Sequence, residues 1–114
     1  MPYIDIKLNR KITHEQEAEV KADLGTAITS FPGKTEQWLM IGFSDCVRLW
    51  FQGNDDAPSA MVEVSVLGSI ATESCEKMTK LICESFEKHL NISPSRVYVK
   101  YQAVSDWGWN NINF

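Results

Sequence analysis

Residues 61–67, Met-Val-Glu-Val-Ser-Val-Leu, alternate in polarity and place Val62, Val64 and Val66 on one side of the chain. A period of two is typical of a β-strand with one buried face. Residues 3–8, Tyr-Ile-Asp-Ile-Lys-Leu, alternate in the same way, and Ile6 lies 58 positions before Val64. These two stretches decide the fold, because each is followed by a helix signal and then by another strand signal at matching distances.

Helical periodicity follows each alternating stretch. Thr13 and Gln16 form a capping-box pair ahead of the first helix. Its apolar stripe, spaced by three and four residues, is Val20, Leu24, Ala27, Ile28 and Phe31, and Pro32-Gly33 ends it. The second stripe is Met78, Leu81, Ile82, Phe86 and Leu90. Apolar segments of strand length follow at 38–43 and 96–101, so the order strand, helix, strand occurs twice.

This repetition predicts an internal duplication, residues 2–58 and 59–114, within one α+β domain spanning 1–114. Right-handed crossovers place both helices on one face of a four-stranded sheet, an α/β sandwich. The segment 38–43 is apolar on both sides, and Tyr98 and Tyr101 are large. Since parallel strands are normally buried on both faces, the bare face is predicted to meet another subunit.

Two segments lie outside the repeat. Residues 49–51 are predicted to form a short edge strand before the polar loop 52–58. The tail 107–114 is aromatic, whereas ordinary chain ends are polar and frayed. We therefore expect the tail to dock on the domain, either as plain core or as part of a site.

Composition narrows the classes of function. Hydrophobic residues make up 44% of the 114 residues, as in a globular protein, and the net charge is −4. The sequence has no Lys/Arg stripe of the kind that binds nucleic acids or membranes. It also has no apolar run long enough to span a membrane or to form a signal peptide. We therefore expect a cytoplasmic protein, secreted if at all by a route without a signal peptide. The cysteines Cys46, Cys75 and Cys83 form no CxxC or zinc pattern, and the last two are expected to be buried thiols.

Pro2 is the first candidate for chemistry. Removal of Met1 would leave a secondary amine, and an apolar pocket beside a cation would lower its pKa from the ordinary α-amino value. Such a base can remove a proton next to a carbonyl group. Lys34, after Pro32-Gly33, would supply the cation and hold a carboxylate or enolate oxygen. The plainer alternatives are that Met-Pro is a common chain start and that Lys34 is a solvated loop residue.

Other constellations do not form a site. His14 and His89 are interpreted as surface residues at helix termini, without a catalytic triad or metal-ligand spacing around them. No glycine-rich phosphate loop is present. Neither a metal nor a cofactor is predicted.

Six landmarks in order resemble the macrophage migration inhibitory factor and D-dopachrome tautomerase family over the whole chain. They are Met1-Pro2, Gly33-Lys34, Ile92-Ser-Pro-Ser-Arg-Val-Tyr98, Gly108-Trp109, Asn110-Asn111 and Phe114. The resemblance implies the tautomerase fold and a homotrimer with active sites at subunit interfaces. It also implies cofactor-free interconversion of enol and keto forms of aryl pyruvates such as phenylpyruvate, and of dopachrome-like compounds.

The same resemblance implies roles for individual residues. Pro2 matches the catalytic proline and Lys34 the lysine beside it. Leu67 stands where the family usually has an isoleucine that contacts substrate through its backbone N–H and side chain. The remaining substrate-binding positions are Tyr3, the aromatic wall of Trp109 and Phe114, and Tyr98, which a neighbouring subunit supplies.

Departures from the family pattern bear on specificity. Lys100 replaces an asparagine and would either strengthen carboxylate binding or lower the pKa of Pro2 further. Trp107 replaces a smaller valine and would narrow the pocket, and the loop before it is two residues shorter. Ser59 and Val62 occupy the positions of a CxxC motif found in some members, so dithiol-dependent reduction should be absent. The alternative function is a cytokine-like ligand of a host receptor with a vestigial pocket, and a trimeric scaffold with neither role is a third reading.

Overall fold

The structure is a computed structural model that describes residues 1–114. Its main sheet has the strand order β2-β1-β3-β4. The strands are β1 (Pro2–Leu8), β2 (Met40–Ser44), β3 (Ala60–Leu67) and β4 (Val97–Val104). The helices are α1 (His14–Ala27) and α2 (Thr72–Leu90). The pairs β1–β2 and β3–β4 are parallel, whereas the central pair β1–β3 is antiparallel.

One face of the sheet packs on the two helices and forms the core. Ile4, Ile6 and Val62 are 0% exposed, and their neighbours along each strand point to the opposite face. From α1 and α2, Leu24, Ile82 and other stripe residues meet them in one buried cluster. The two-layer α+β architecture with both helices on one face is therefore confirmed.

Local signals explain where the helices begin and end. The Gln16 backbone N–H donates to Thr13 Oγ1 (3.1 Å), and the Thr13 N–H donates to Gln16 Oε1 (2.9 Å), which confirms the predicted capping box. The α1 helix tightens into a 3₁₀ turn, Ile28–Ser30. The α2 helix ends at Asn91, whose φ of 55° is the left-handed conformation of a C-terminal cap. No helix in the structure is both long and apolar enough to cross a membrane.

Two predicted strands differ from the observed ones. The strand expected at 38–43 runs from Met40 to Ser44, because Glu36–Trp38 form a 3₁₀ turn. The edge strand expected at 49–51 is wrong, since Phe51 forms only an isolated bridge with Asn54. The buried Arg96 guanidinium donates to the carbonyl oxygens of Phe51 (2.8 Å) and Asn54 (3.3 Å), and these bonds hold the segment as a turn.

The sheet face opposite the helices carries both charged and apolar side chains. Lys7 pairs with Asp5 at 2.9 Å and Lys100 with Glu63 at 3.7 Å, while Tyr98 is 61% exposed. The interpretation that large side chains crowd this face is therefore only partly right.

Tyr101, which was grouped with Tyr98, lies on the helix side, because alternate residues of β4 point in opposite directions. Its hydroxyl lies 2.7 Å from Thr79 Oγ1 and donates to the Cys75 carbonyl (3.0 Å).

The two histidines were both expected at the surface, but only one of them is exposed. His14 is exposed, as predicted, but the side chain of His89 is only 11% exposed. Its ring nitrogens lie 2.7 Å from Glu19 Oε2 and 2.9 Å from Asp23 Oδ2, because the end of α2 packs across α1. Cys75 and Cys83 are partly buried, which raises the pKa of both thiols.

Candidate active site

The amino end of the chain lies at the end of a central strand. Pro2 is buried and pairs with Val66 of β3. The Met1 carbonyl accepts a hydrogen bond from the Leu67 N–H (3.0 Å), and Lys34 Nζ donates to the Leu67 carbonyl (3.0 Å). Three residues that are distant in sequence, Pro2, Lys34 and Leu67, are thus brought together.

The electrostatics of this end act on the terminal amine. Burial, followed by the positive charge of Lys34 and its hydrogen bond, lowers the pKa of the Met1 amino group below its ordinary value. The nitrogen of Pro2 lies in a peptide bond while Met1 is present, and it becomes an amine only after Met1 is removed. The surroundings therefore favour an unprotonated amine at this end of the sheet.

A cleft of about 720 Å³ opens beside Pro2. Pro2, Tyr3, Trp107 and Trp109 of the predicted site residues line it. The other lining residues are Met1, Gln37, Trp38, Leu39, Met40, Ser65, Val104 and Gly108. No carboxylate, imidazole or thiol lies among these residues, so the terminal amine is the one group in the cleft lining that can accept a proton near neutral pH.

Aromatic rings form one wall of the cleft. The rings of Trp38 and Trp109 meet edge to face, with centroids 5.1 Å apart and planes at 85°. Phe114 stacks on Trp109 at 6.4 Å, and its N–H donates to the Trp107 carbonyl (3.0 Å). Edge-to-face and offset-stacked pairs are the favoured aromatic geometries. The tail contacts the domain through the Trp38–Trp109 ring pair, but residues 108–114 are all exposed, so the expectation of a docked tail is only partly met.

A tight hairpin positions Trp109. The tail forms β5 (Gly108–Trp109) and β6 (Ile112–Asn113), an antiparallel pair. Asn110 and Asn111 connect them with φ angles of 53° and 70°. A two-residue loop with positive φ at both positions is a type I′ turn, in which asparagine is favoured.

Tyr98 and Lys100 lie away from this cleft in the same chain. Ala103 is level with Val66 and hence with Pro2, whereas Tyr98 is level with Met61. Five residues along a strand separate Tyr98 from the Pro2 level by about 17 Å, and three residues separate Lys100 by about 10 Å. The Tyr98 ring instead contacts Phe51 (4.7 Å), beside a smaller and mostly apolar cavity of about 210 Å³.

Sequence patterns missed several residues of the cleft, chiefly Gln37, Trp38, Ser65 and Val104. Trp38 was placed at the start of a strand because it opens an apolar run. A usable signal was present, because Gln37 and Trp38 lie in the same connection as Lys34. Ser65 is two residues before Leu67 on the same strand and shares its face.

Comparisons with known proteins agree with this geometry. Residues 1–113 match the family model for macrophage migration inhibitory factor (MIF). Mouse macrophage migration inhibitory factor is 27% identical over 95 residues, which cover 82% of each chain.

Solved structures extend the match. The crystal structure of Leishmania major MIF2 is 32% identical with a TM-score of 0.93, covering 100% of this chain and 97% of that one. The homologue from Prochlorococcus marinus is 26% identical with a TM-score of 0.83, covering 98% of both chains. Because the family model spans almost the whole sequence, and the fold and landmark residues agree with it, the chain belongs to the macrophage migration inhibitory factor family.

Proposed function

We propose that this protein is a cofactor-free keto–enol tautomerase of phenylpyruvate-like or dopachrome-like compounds, with Pro2 as its base once Met1 has been removed. The observation that carries the proposal is the chemistry of the cleft. Its lining has no acidic side chain, histidine or cysteine, and the amine end of the chain lies there beside Lys34. A secondary amine with a lowered pKa suits reversible proton transfer at carbon.

The proposed reaction is a proton relocation in which nothing is oxidised. In the enol-to-keto direction the unprotonated Pro2 nitrogen takes up the proton of the enol O–H group and delivers it to the adjacent carbon. In the reverse direction the unprotonated nitrogen removes that carbon-bound proton. Lys34 balances the negative charge on the substrate carboxylate or on the developing enolate oxygen.

Leu67 supplies a second group to this reaction. Its backbone N–H donates to the Met1 carbonyl in the 114-residue chain. Removal of Met1 would free this donor for a substrate oxygen at the position where the chain formerly continued. The aryl ring would then lie against Tyr3, Trp107, Trp109 and Phe114.

We further propose a homotrimer in which each site lies between two subunits. Tyr98 and Lys100 are exposed and lie too far from Pro2 of their own chain to reach its cleft. A neighbouring subunit that presented its β4 to the cleft would bring both side chains to the substrate. Lys100 would then add a second cation, which favours substrates that carry a carboxylate.

The decisive experiment is phenylpyruvate ketonisation by protein whose N-terminus has been confirmed by mass. Pro2→Gly should lower kcat/KM by about a hundredfold or more, the usual contribution of a positioned base. Pro58→Ala, in a loop at the far end of the sheet, serves as the matched control and should leave the rate unchanged. An inactive, correctly processed and assembled wild type would overturn the proposal.

A cytokine-like ligand of a host receptor is the second candidate, and family membership is the observation that favours it. The two functions separate in the Pro2→Gly variant. A receptor ligand would keep its cellular activity in that variant, whereas an enzyme would lose its turnover.

A further inference from the structure

The 3₁₀ turn Glu36–Trp38 supplies one wall of the cleft but has few bonds of its own. Trp38 N–H donates to the Thr35 carbonyl (3.3 Å) and Leu39 N–H to the Glu36 carbonyl (3.1 Å). Thr35 gives the turn no side-chain cap. A single 3₁₀ turn has poor hydrogen-bond geometry and does not fix its own orientation. Contacts from outside the turn must therefore set the position of Trp38.

Glu36 makes such a contact with α1. Its carboxylate lies 3.1 Å from Lys21 Nζ, one turn before Gly25 on the helix. The rest of the Glu36 side chain lies directly over Gly25. A Cβ atom added at Gly25 would fall 2.5 Å from Glu36 Cδ and 3.0 Å from Glu36 Cγ. The side chain thus occupies the space that any other residue at position 25 would fill.

The glycine has no other evident reason to be at this position. Gly25 is buried within α1, where glycine is less favourable than alanine. Its φ is not positive, unlike the φ angles of Gly33, Gly53 and Gly68, so the backbone does not require glycine here. The space above its Cα is the property that distinguishes it from alanine.

We propose that Gly25 is a seat for Glu36, and that Glu36 is a positioning residue that holds Trp38 edge-on to Trp109 through its contacts with Gly25 and Lys21. The consequence for substrate binding rests on the proposed tautomerase function. The consequence for the geometry of the two indole rings does not.

Two readouts test the seat separately. The edge-to-face indoles of Trp38 and Trp109 should give an exciton couplet in far-ultraviolet circular dichroism, and Trp38→Phe identifies that signal by abolishing it. Gly25→Ala should displace Glu36 and weaken the couplet. The same variant should raise KM for phenylpyruvate about two- to fivefold, the range that a surface ion pair supplies, with kcat nearly unchanged.

Lys21→Met gives a second variant on the surface of α1 and should weaken the couplet in the same direction. Its matched control is Lys77→Met, an exposed lysine of α2 that makes no ion pair. The double variant Gly25→Ala/Glu36→Ala should show the same couplet intensity and the same KM as Glu36→Ala alone, because both changes act on one contact.

The proposal is overturned if folded Gly25→Ala keeps both the couplet and the KM of the wild type. It is also overturned if the effects of Gly25→Ala and Glu36→Ala on these two quantities add in the double variant. An inactive wild type would overturn the proposed enzyme but not the seat, which the couplet still tests.

Discussion

Lys34 acts on the amino end of the chain through two different contacts. Burial is the larger cause of the lowered pKa of the terminal amine, and the charge of Lys34 lowers it further. The hydrogen bond from Lys34 to the Leu67 carbonyl fixes where that charge lies. The side chain is partly buried, so its electrostatic effect is less screened than that of a surface lysine. In the proposed mechanism, one residue therefore contributes both to the basicity of the amine and to the positive charge that would meet the substrate.

Replacing Lys34 with Met should lower kcat/KM by about ten- to a hundredfold through loss of charge stabilisation. It should also move the acidic limb of the pH–rate profile to higher pH. In the proposed mechanism the amine acts when it is unprotonated. A nearby cation disfavours its protonation, so removing the cation should raise the pKa of the amine. The measurement is kcat/KM against pH, with Lys34→Arg as the charge-conserving control. An unshifted acidic limb in Lys34→Met would contradict the assigned role.

Trp38 shows what residue patterns alone could not predict. The identities of Pro2, Lys34, Trp109 and Phe114 as site candidates came from chemistry and from resemblance, and all four lie at or beside the cleft. Trp38 belongs to an apolar run whose periodicity does not distinguish a strand from a short turn. Only its ring contact with Trp109, across about 70 residues of sequence, places it in the wall.

At the scale of elements, amphipathic periodicity was sufficient for the main sheet and both helices, because these elements bury one face in a shared core. It was insufficient for β2, which lies at the sheet edge and is apolar on both sides. It also failed for residues 49–51, where bonds from the distant Arg96 override the local β propensity.

The β5–β6 hairpin depends on its turn. Asn111→Gly should be tolerated, because glycine also adopts the positive φ of 70° found at this position. Asn111→Val should destabilise the hairpin by about 1 to 2 kcal/mol, since a β-branched residue is strained there. Loss of the couplet between Trp38 and Trp109 in the Val variant, with thermal unfolding of the core nearly unchanged, would be the expected result. Equal behaviour of the two variants would count against the turn assignment.

The contact between α2 and β4 contains the partly buried phenol of Tyr101. Burial raises the pKa of Tyr101 to about 12, from about 10 in the unfolded chain. The folded state thus keeps a proton that the unfolded state releases, so stability is complete below about pH 10 and falls as pH rises toward about 12. After discounting for partial solvent screening, the loss should be about 1 to 2 kcal/mol.

Tyr101→Phe isolates this effect. It should cost about 1 kcal/mol at neutral pH, because the hydrogen bonds to Thr79 and Cys75 are lost. Between about pH 10 and 12 its unfolding free energy should fall less than that of the wild type. Urea unfolding at several pH values measures both. If the unfolding free energies of the two proteins fell equally with pH, the raised pKa of Tyr101 would not be the cause of the loss of stability.

For the whole molecule, the uncovered sheet face and the position of Tyr98 raise the question of assembly. The face carries charges of both signs: the acids Asp5 and Glu63 and the base Lys100 form one cross-strand row, and Lys7 pairs with Asp5 beside it. Charged rows of this kind contribute more to the choice and orientation of a binding partner than to the affinity for it. The polar character follows from the alternation of residues 3–8 and 61–67, which the prediction of a partner from the apolar segment 38–43 did not take into account.

Subunit mixing tests whether each proposed site is shared between two chains. Pro2→Gly subunits lack the base, and Tyr98→Ala subunits lack the residue offered to a neighbour. After joint refolding, mixed trimers should regain part of the wild-type activity, because some sites combine an intact Pro2 with an intact Tyr98. Each variant refolded alone is the control, and light scattering confirms the trimer. No recovery in verified mixed trimers would show that the site is built within one chain.

The hydrogen bond from Leu67 to the Met1 carbonyl has a consequence for the order of events during biosynthesis. A methionine whose carbonyl is paired within the sheet, and whose amine is partly buried beside Lys34, is a poor substrate for an aminopeptidase. Trimming should therefore take place on the nascent chain, before β1 pairs with β3. Chains that fold before trimming would keep Met1 and remain permanently inactive. The fraction of active molecules would therefore be determined during translation.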